Sequence, residues 1–170
     1  GNVKKGVGAV PNEKVRCIWL DIPYSEADAY GAWLADTYGA IICNSTWGEG
    51  HHYTPIDTSS PDSMLYGIAK RSLADASMIR DSRSTVDQFL EDVKYMVKHY
   101  KADCVIYPGH KGHKDMYASV GFLRDVCREL GVPLLALTTD VTDPTWKGLD
   151  EVKRATAEFF EAQGWEPINQ

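Results

Sequence analysis

The sequence predicts a three-layer α/β fold, in which helices cover both faces of a parallel sheet of four or slightly more strands. Short apolar runs alternate along the chain with segments of helical periodicity, and this alternation is typical of a parallel sheet. The runs contain few polar residues, as expected for strands buried on both faces. A length of 170 residues with 44% hydrophobic and 25% charged residues suits one domain of ordinary composition. The expected arrangement is therefore flavodoxin-like or Rossmann-like.

Residues 1–13 show no periodic pattern and are predicted to be a lead-in or linker, so that the α/β domain spans residues 14–165. Four short apolar runs within this domain predict its strands. They are Val15–Leu20, Ala40–Cys43, Cys104–Tyr107 and Pro133–Leu137.

Helix signals fill the intervals between these strands. Ser25 followed by Asp28 predicts the start of a first helix, and Gly39 predicts its end. Pro61 is typical of the first turn of a second helix, and a break is expected near residues 81–83. Three later helices are predicted from apolar residues at helical spacing, running from Val86 to Tyr100, from Val120 to Leu130 and from Leu149 to Phe159.

Charge and cysteine content narrow the classes of function. A net charge of −6 argues against a broad nucleic-acid surface, which needs a basic field. No apolar run is long enough to cross a bilayer, and no secretory signal opens the chain. The four cysteines lack zinc-binding or redox spacing, so we expect reduced core thiols and a cytoplasmic location.

Ligands bind parallel sheets of this kind outside the carboxyl ends of the strands. That rule selects four loops for function, which are residues 21–24, 45–53, 108–115 and 138–146. The third loop is the richest, because it carries His110, Lys111, His113 and Lys114. Imidazoles ligate metals or move protons, and lysines hold phosphate or carboxylate groups. The alternative interpretation is a solvated basic loop.

The other loops add weaker candidates. His51 and His52 follow the second strand and would complete a His-based zinc site if that loop folds over the sheet edge; a chance pair of surface histidines is the alternative. Trp47 and Trp146 either line a ligand pocket or anchor their loops. Dinucleotide-binding, P-loop and nucleophile-elbow motifs are absent from the sequence.

Several segments together resemble one known family. They are residues 15–23, 39–42, 100–107 with the loop that follows, 131–140 and 154–161. In content and order they resemble the carboxyl-terminal domain of the 2-hydroxyacyl-CoA dehydratase and benzoyl-CoA reductase subunit family, which includes the 2-hydroxyglutaryl-CoA dehydratase D-component. The resemblance spans residues 14–163 and rests on a pattern along the domain rather than on one motif.

The resemblance implies a radical reaction on a CoA thioester. Subunits of the family carry a [4Fe-4S] cluster, pair with a second family subunit and receive an electron from an ATP-dependent activator protein. Together with the positions of the strand-end loops, it leads us to expect that His110 and Lys114 are catalytic and that Trp47, His51, His52 and Lys111 bind substrate. His113 stands where the family has a cysteine ligand of the cluster and is therefore the implied metal ligand.

Two departures accompany this resemblance. Family subunits are about twice as long, and the domain that supplies most of the cluster cysteines is absent from this sequence. We therefore expect a domain of a longer subunit that is inactive by itself, and we expect the [4Fe-4S] cluster of the intact subunit to be absent or incomplete in this chain. The sequence leaves two other hypotheses open, a non-catalytic module that binds an anionic ligand or a partner subunit, and a His-based metallohydrolase.

Overall fold

A parallel sheet lies at the centre of the computed structural model, which describes residues 2–21, 26–46, 54–74, 86–143 and 145–168. Within these ranges the sheet has four strands in the spatial order β2-β1-β3-β4. The strands are β1 (Val15–Trp19), β2 (Ala40–Ser45), β3 (Cys104–Tyr107) and β4 (Leu134–Ala136). Each neighbouring pair is parallel, which confirms the predicted sheet.

Six α-helices connect and flank the strands in the described ranges. They are α1 (Ala27–Tyr38), α2 (Pro61–Ala74), α3 (Val86–Tyr100), α4 (Lys114–Ala118), α5 (Val120–Leu130) and α6 (Leu149–Ala162). Gly39 and Gly131 end α1 and α5 in the left-handed conformation, as their sequence positions predict. Ser25 and the predicted break at residues 81–83 lie outside the described residues. A short 3₁₀-helix, Asn2–Lys5, lies in the segment predicted as a lead-in.

Helices cover both faces of the sheet. Successive residues of a strand point to opposite faces, so each strand contributes side chains to both layers. Cys17 and Trp19 of β1 belong to one apolar cluster with residues of α1 and α6. Ile18 and Leu20 belong to a second cluster with residues of α3 and α5. These two clusters make the three-layer sandwich that the sequence predicts.

Aromatic side chains hold the α1 and α6 layer together. Tyr38 and Phe160 meet edge to face with ring centroids 4.8 Å apart, a geometry that contributes about 1 kcal/mol beyond burial. The buried hydroxyls of Tyr30 and Thr156 form a 2.8 Å hydrogen bond between the same helices. The layer is therefore fixed by both packing and a satisfied polar contact.

Helix α2 differs from the other long helices, because its apolar side chains face solvent. Leu65, Tyr66, Ile68 and Leu73 are 48% or more exposed. None of the residues of α2 whose side chains are described is buried. The helix therefore adds little to either core cluster. Across the described ranges no helix has the length and apolar character that a bilayer span requires.

Candidate functional site

The site predicted from the sequence lies where the chain changes direction across the sheet. From β1 the chain passes through α1 to β2 on one side, whereas β3 leads through α4 and α5 to β4 on the other. A crevice opens at such a switch point, outside the carboxyl ends of the two strands that diverge. Asp21, two residues beyond β1, and the loop after β3 lie at this point.

The loop after β3 is a continuation of the sheet rather than a free connection. The Thr139 N–H donates to the Gly109 carbonyl at 2.9 Å, and the Lys111 N–H donates to the Thr139 carbonyl at 3.0 Å. His110 and Thr139 thus form a parallel bridge beyond the named ends of β3 and β4. This bridging holds the backbone that carries the imidazoles and lysines in a fixed position.

Gly109 permits the close approach of the loop after β3 to the chain that follows β4. Its φ of 57° lies in the left-handed region, and a Cβ atom there would collide with the backbone carbonyl oxygen of Leu137. The Tyr117 hydroxyl, which donates to the Thr138 hydroxyl at 2.5 Å, would also be 3.2 Å from that added atom. The position therefore requires glycine for both dihedral and steric reasons.

Asp21 and His113 are in contact at this edge of the sheet. The Asp21 Oδ1 lies 3.4 Å from His113 Nδ1, within ion-pair range but longer than a well-formed hydrogen bond. The Asp21 residue is only 7% exposed and has a φ of 63°, which is unusual for a residue with a side chain. Its N–H donates to the Thr46 hydroxyl at 2.9 Å, which anchors the turn at the end of β1. The carboxylate is therefore held at the crevice by backbone contacts.

Unsatisfied polar atoms collect at the same place. Asp21 Oδ2, His113 Nδ1 and Thr139 Oγ1 are each buried and have no hydrogen-bond partner among the described residues. Buried polar atoms of this kind are costly, and native structures keep few of them. The three residues follow β1, β3 and β4, so these atoms lie toward the edge of the sheet where ligands bind in folds of this architecture.

His110 lies beside His113 with a different set of contacts. The two rings meet edge to face, with centroids 5.1 Å apart. His110 Nδ1 accepts a 3.4 Å hydrogen bond from the Val141 N–H, so the ring proton of neutral His110 is on Nε2. Gly112 leaves room for this ring, since a Cβ there would be 2.8 Å from Nε2.

Lys111 points to the loop after β4. Its Nζ lies 3.2 Å from Asp140 Oδ2 and 4.0 Å from the ring centroid of Trp146. The Thr142 N–H, the Asp143 N–H and the Thr142 hydroxyl donate to Asp140 Oδ1 at 2.9, 3.1 and 3.0 Å. The pKa of Asp140 is held well below its ordinary value, first by the Thr142 N–H and further by the other donors and Lys111, against the opposing effect of desolvation.

This lowered pKa predicts an acid-dependent contribution to stability. A carboxyl whose pKa is depressed by folding stabilises the protein above its unfolded pKa of about 3.9, and the contribution is lost as pH falls through the folded pKa. We expect Asp140→Asn to be less stable than the parent at neutral pH and the difference to shrink at strongly acid pH. Denaturant unfolding of both proteins at neutral and at strongly acid pH measures this difference in stability. A difference that does not change with pH would contradict the assignment.

The structure brings together some of the predicted site residues and leaves others apart. His110, Lys111 and His113 lie at the crevice, and Lys114 is exposed at the first residue of α4. Trp146 contacts Lys111, and half of its surface is exposed. The predicted substrate-binding residues Trp47, His51 and His52 lie outside the described residues.

Sequence reasoning missed two carboxylates of the site. Asp21 and Asp140 lie in two of the loops that the sequence selects, residues 21–24 and 138–146, but neither is among its candidate residues. Asp140 does bond its own loop, but it also holds Lys111. The one available signal for Asp21 was its position directly beyond an apolar strand.

The described residues do not supply the donor set of an iron–sulfur cubane. Cys17 and Cys104 are fully buried as neighbours in β1 and β3, with their sulfur atoms 3.5 Å apart. Cys127 is buried on α5, and Cys43 is half-buried within β2. Among the described residues no three His, Cys, Asp or Glu side chains form a metal site, which leaves the metallohydrolase hypothesis without ligands in that part. The predicted role of His113 as a metal ligand stays a prediction.

The same burial predicts how the thiols react. Burial raises the pKa of Cys127 to about 12, and the hydrogen bond with Cys17, together with burial, raises that of Cys104. We expect a chromogenic disulfide reagent to modify Cys43 slowly in the native protein and the other three thiols only on unfolding. In Cys43→Ser the native reaction should disappear. Rapid modification of two or more thiols without denaturant would show that the core thiols are accessible.

Comparison with models of known protein families gives a match over most of the chain. The family model described as 2-hydroxyglutaryl-CoA dehydratase, D-component, matches residues 2–162 of the 170 residues. This range contains the four strands, the described helices and the crevice. No curated protein matches the chain.

Proposed function

This chain belongs to the 2-hydroxyglutaryl-CoA dehydratase D-component family, and from that premise we propose that it is a domain of a dehydratase-type subunit that binds the CoA thioester at the crevice between β1 and β3. The observation that carries the proposal is the position of the loop containing His110, Lys111 and His113. It lies at the switch point of the sheet, where ligands bind in folds of this architecture.

The charges at this edge support an anionic ligand. Lys111, which is paired with Asp140, and the exposed Lys114 supply two cations at this edge, and CoA carries phosphate groups that lysines bind as point charges. The exposed face of Trp146 is suited to an adenine ring or an acyl chain. Lys111 is held over that ring, so the cation and the aromatic surface act as one unit.

The redox partners of the proposed reaction come from outside this chain. A [4Fe-4S] cluster would supply the redox chemistry, and its ligands would come from another domain or from the second subunit. An ATP-dependent activator protein would recharge it. The role of this chain in the proposal is to bind and orient the thioester and to place polar groups beside it.

Calorimetric titration of the chain with 2-hydroxyglutaryl-CoA tests the proposal. We expect binding that weakens by about tenfold in Lys111→Ala, because one charge-assisted phosphate contact is lost. Lys94→Ala is the matched control, since Lys94 carries the same charge on α3 and pairs with Glu91 on the surface. Equal binding in the parent and Lys111→Ala would move the ligand away from this edge. No binding at all would reject the proposed site.

Reconstitution of the enzyme with its second subunit and activator protein distinguishes a domain that takes part in catalysis from one that only binds the thioester. If the domain is only a module that grips an anionic ligand, it binds the thioester but a reconstituted enzyme turns over without it. If the proposal is right, turnover requires this domain and falls in Lys111→Ala in parallel with the loss of binding.

A further inference from the structure

Strand β4 is an edge of the sheet with open hydrogen-bonding groups. The N–H groups of Leu137 and Thr139 donate to carbonyl oxygens of β3 and of the loop that follows it, so the odd-numbered residues of this stretch face β3. Backbone groups alternate in direction along a strand, and those of Leu134, Ala136 and Thr138 therefore point away from the sheet. Among the described residues no strand pairs with this outer side.

The outer side of β4 lacks most of the features that protect an edge strand from pairing. Natural edges are guarded by charged residues, by proline, by a bulge or by a very short strand. The three outward residues are uncharged, none of them is proline, and the small side chain of Ala136 is exposed. The bridge between His110 and Thr139 extends the ladder beyond the three residues of β4. This edge can therefore accept another strand.

A stripe of alternating charge lies beside this edge. A cavity of about 310 Å³ lies between β4 and α6, and Ala136 and Thr138 line it on the strand side. Four charged residues line it on the helix side, and in chain order they are Lys147, Glu151, Arg154 and Glu158. Their spacing of three or four residues places them on one side of the helix. None of the four has an ion-pair partner among the described residues.

The order of these charges fits a second copy of the chain in one orientation. Along the chain the stripe is positive, negative, positive and negative. In the reverse direction it is negative, positive, negative and positive, so a copy related by a two-fold axis presents the opposite charge at every position. Lys147 then lies opposite Glu158 of the second copy, and Glu151 lies opposite its Arg154. A copy in the same direction would bring like charges together.

We propose that two copies of this chain associate edge to edge, with their β4 strands antiparallel about a two-fold axis and their charged stripes facing each other. The two four-stranded sheets then form one continuous sheet. Main-chain pairing of the outward groups supplies affinity, as in other cases of strand addition. The charges fix orientation and register, because exposed ion pairs contribute little affinity whereas like charges in contact are unfavourable.

The overall charge of the chain does not oppose this contact strongly. The chain carries a net charge of −6, but the stripe has two positive and two negative residues and is neutral by itself. The excess negative charge is therefore not concentrated where the two copies meet.

Sedimentation equilibrium of the intact chain measures the association. We expect a reversible dimer whose dissociation constant rises about tenfold in Arg154→Glu, because the change places carboxylates opposite each other at two symmetry-related positions. Arg128→Glu is the matched control, since Arg128 carries the same charge on the exposed surface of α5 and pairs with Asp125. The control should dimerise like the parent chain.

A mixture of two variants tests the orientation. Glu151→Arg should also weaken association, because it places cations opposite each other. An equimolar mixture of the Glu151→Arg and Arg154→Glu chains should form heterodimers, since every position of the stripe again faces the opposite charge. If circular dichroism shows both variants to be folded and no heterodimer forms, the antiparallel arrangement is wrong and the proposal is overturned.

Ala136→Pro tests the strand contact. Proline removes an outward N–H but no hydrogen bond to β3, so the fold should remain while the dimer dissociates. Circular dichroism and thermal unfolding check the fold of this variant. A dimer that persists in folded Ala136→Pro or in Arg154→Glu uses another surface and overturns the proposal. A parent chain that is monomeric at every concentration also overturns it, and a strand of a different protein is then the occupant to seek.

Discussion

Replacing Gly109 with alanine is expected to lower the free energy of unfolding by about 3 kcal/mol. The left-handed dihedral accounts for about 1–2 kcal/mol of this loss. The remainder comes from the new Cβ, which would displace the Leu137 carbonyl and with it the Leu137 N–H bond to Tyr107, now 2.8 Å long. Denaturant unfolding followed by circular dichroism measures the change. Thioester binding should weaken as well, because the loop after β3 would shift.

Two other glycines serve as matched controls. Gly131 also has a positive φ, 71°, but a Cβ there would meet no atom within 4 Å, so Gly131→Ala isolates the dihedral cost. Gly121 has neither constraint and lies in α5, so Gly121→Ala should raise stability by up to about 1 kcal/mol. If Gly109→Ala proves no more harmful than Gly131→Ala, the backbone collision inferred here does not exist.

Asp21→Gly is expected to make the protein more stable by about 2 kcal/mol. Glycine adopts a φ of 63° without strain, and the change also removes a buried, unpaired carboxylate oxygen. The Asp21 N–H bond to Thr46 is kept. Thermal and denaturant unfolding measure the gain.

Lys101 provides the control for this second prediction. It has a φ of 51° but an exposed side chain, so Lys101→Gly relieves the backbone alone and should stabilise by about 1 kcal/mol. Asp21→Asn removes the charge and keeps the strained dihedral. A destabilised Asp21→Gly protein would show that the carboxylate stabilises the fold and would contradict this prediction.

The fold could be predicted from the sequence because its signals are local. The continuous apolar run Cys104–Tyr107 indicates a strand covered on both faces, and all four of its residues are buried. Gly39 and Gly131 marked helix ends because only a residue without a side chain adopts their conformation cheaply. The exposure of Leu65 on α2 was not predictable, since an apolar helical pattern does not say which neighbour, if any, covers it.

The site could be located but not assembled from the sequence. The rule for parallel sheets selects the loop with His110 and His113, because it depends only on where a strand ends. The contact between Asp21 and His113 depends on β1 and β3 being spatial neighbours, and the strand order is not encoded in any local pattern. The positive φ of Asp21 is likewise a product of the tertiary structure.

The bridge between His110 and Thr139 has a consequence for motion. Because the Lys111 and Thr139 amides are bonded within an extended ladder, they should resist hydrogen exchange to nearly the same degree as the adjoining strands. The loop after β3 then cannot rearrange without opening part of the sheet. Its conformational entropy was already lost when the chain folded, so little more is lost when a ligand binds. Recognition at this crevice should consequently resemble docking to a rigid surface more than closure of a loop.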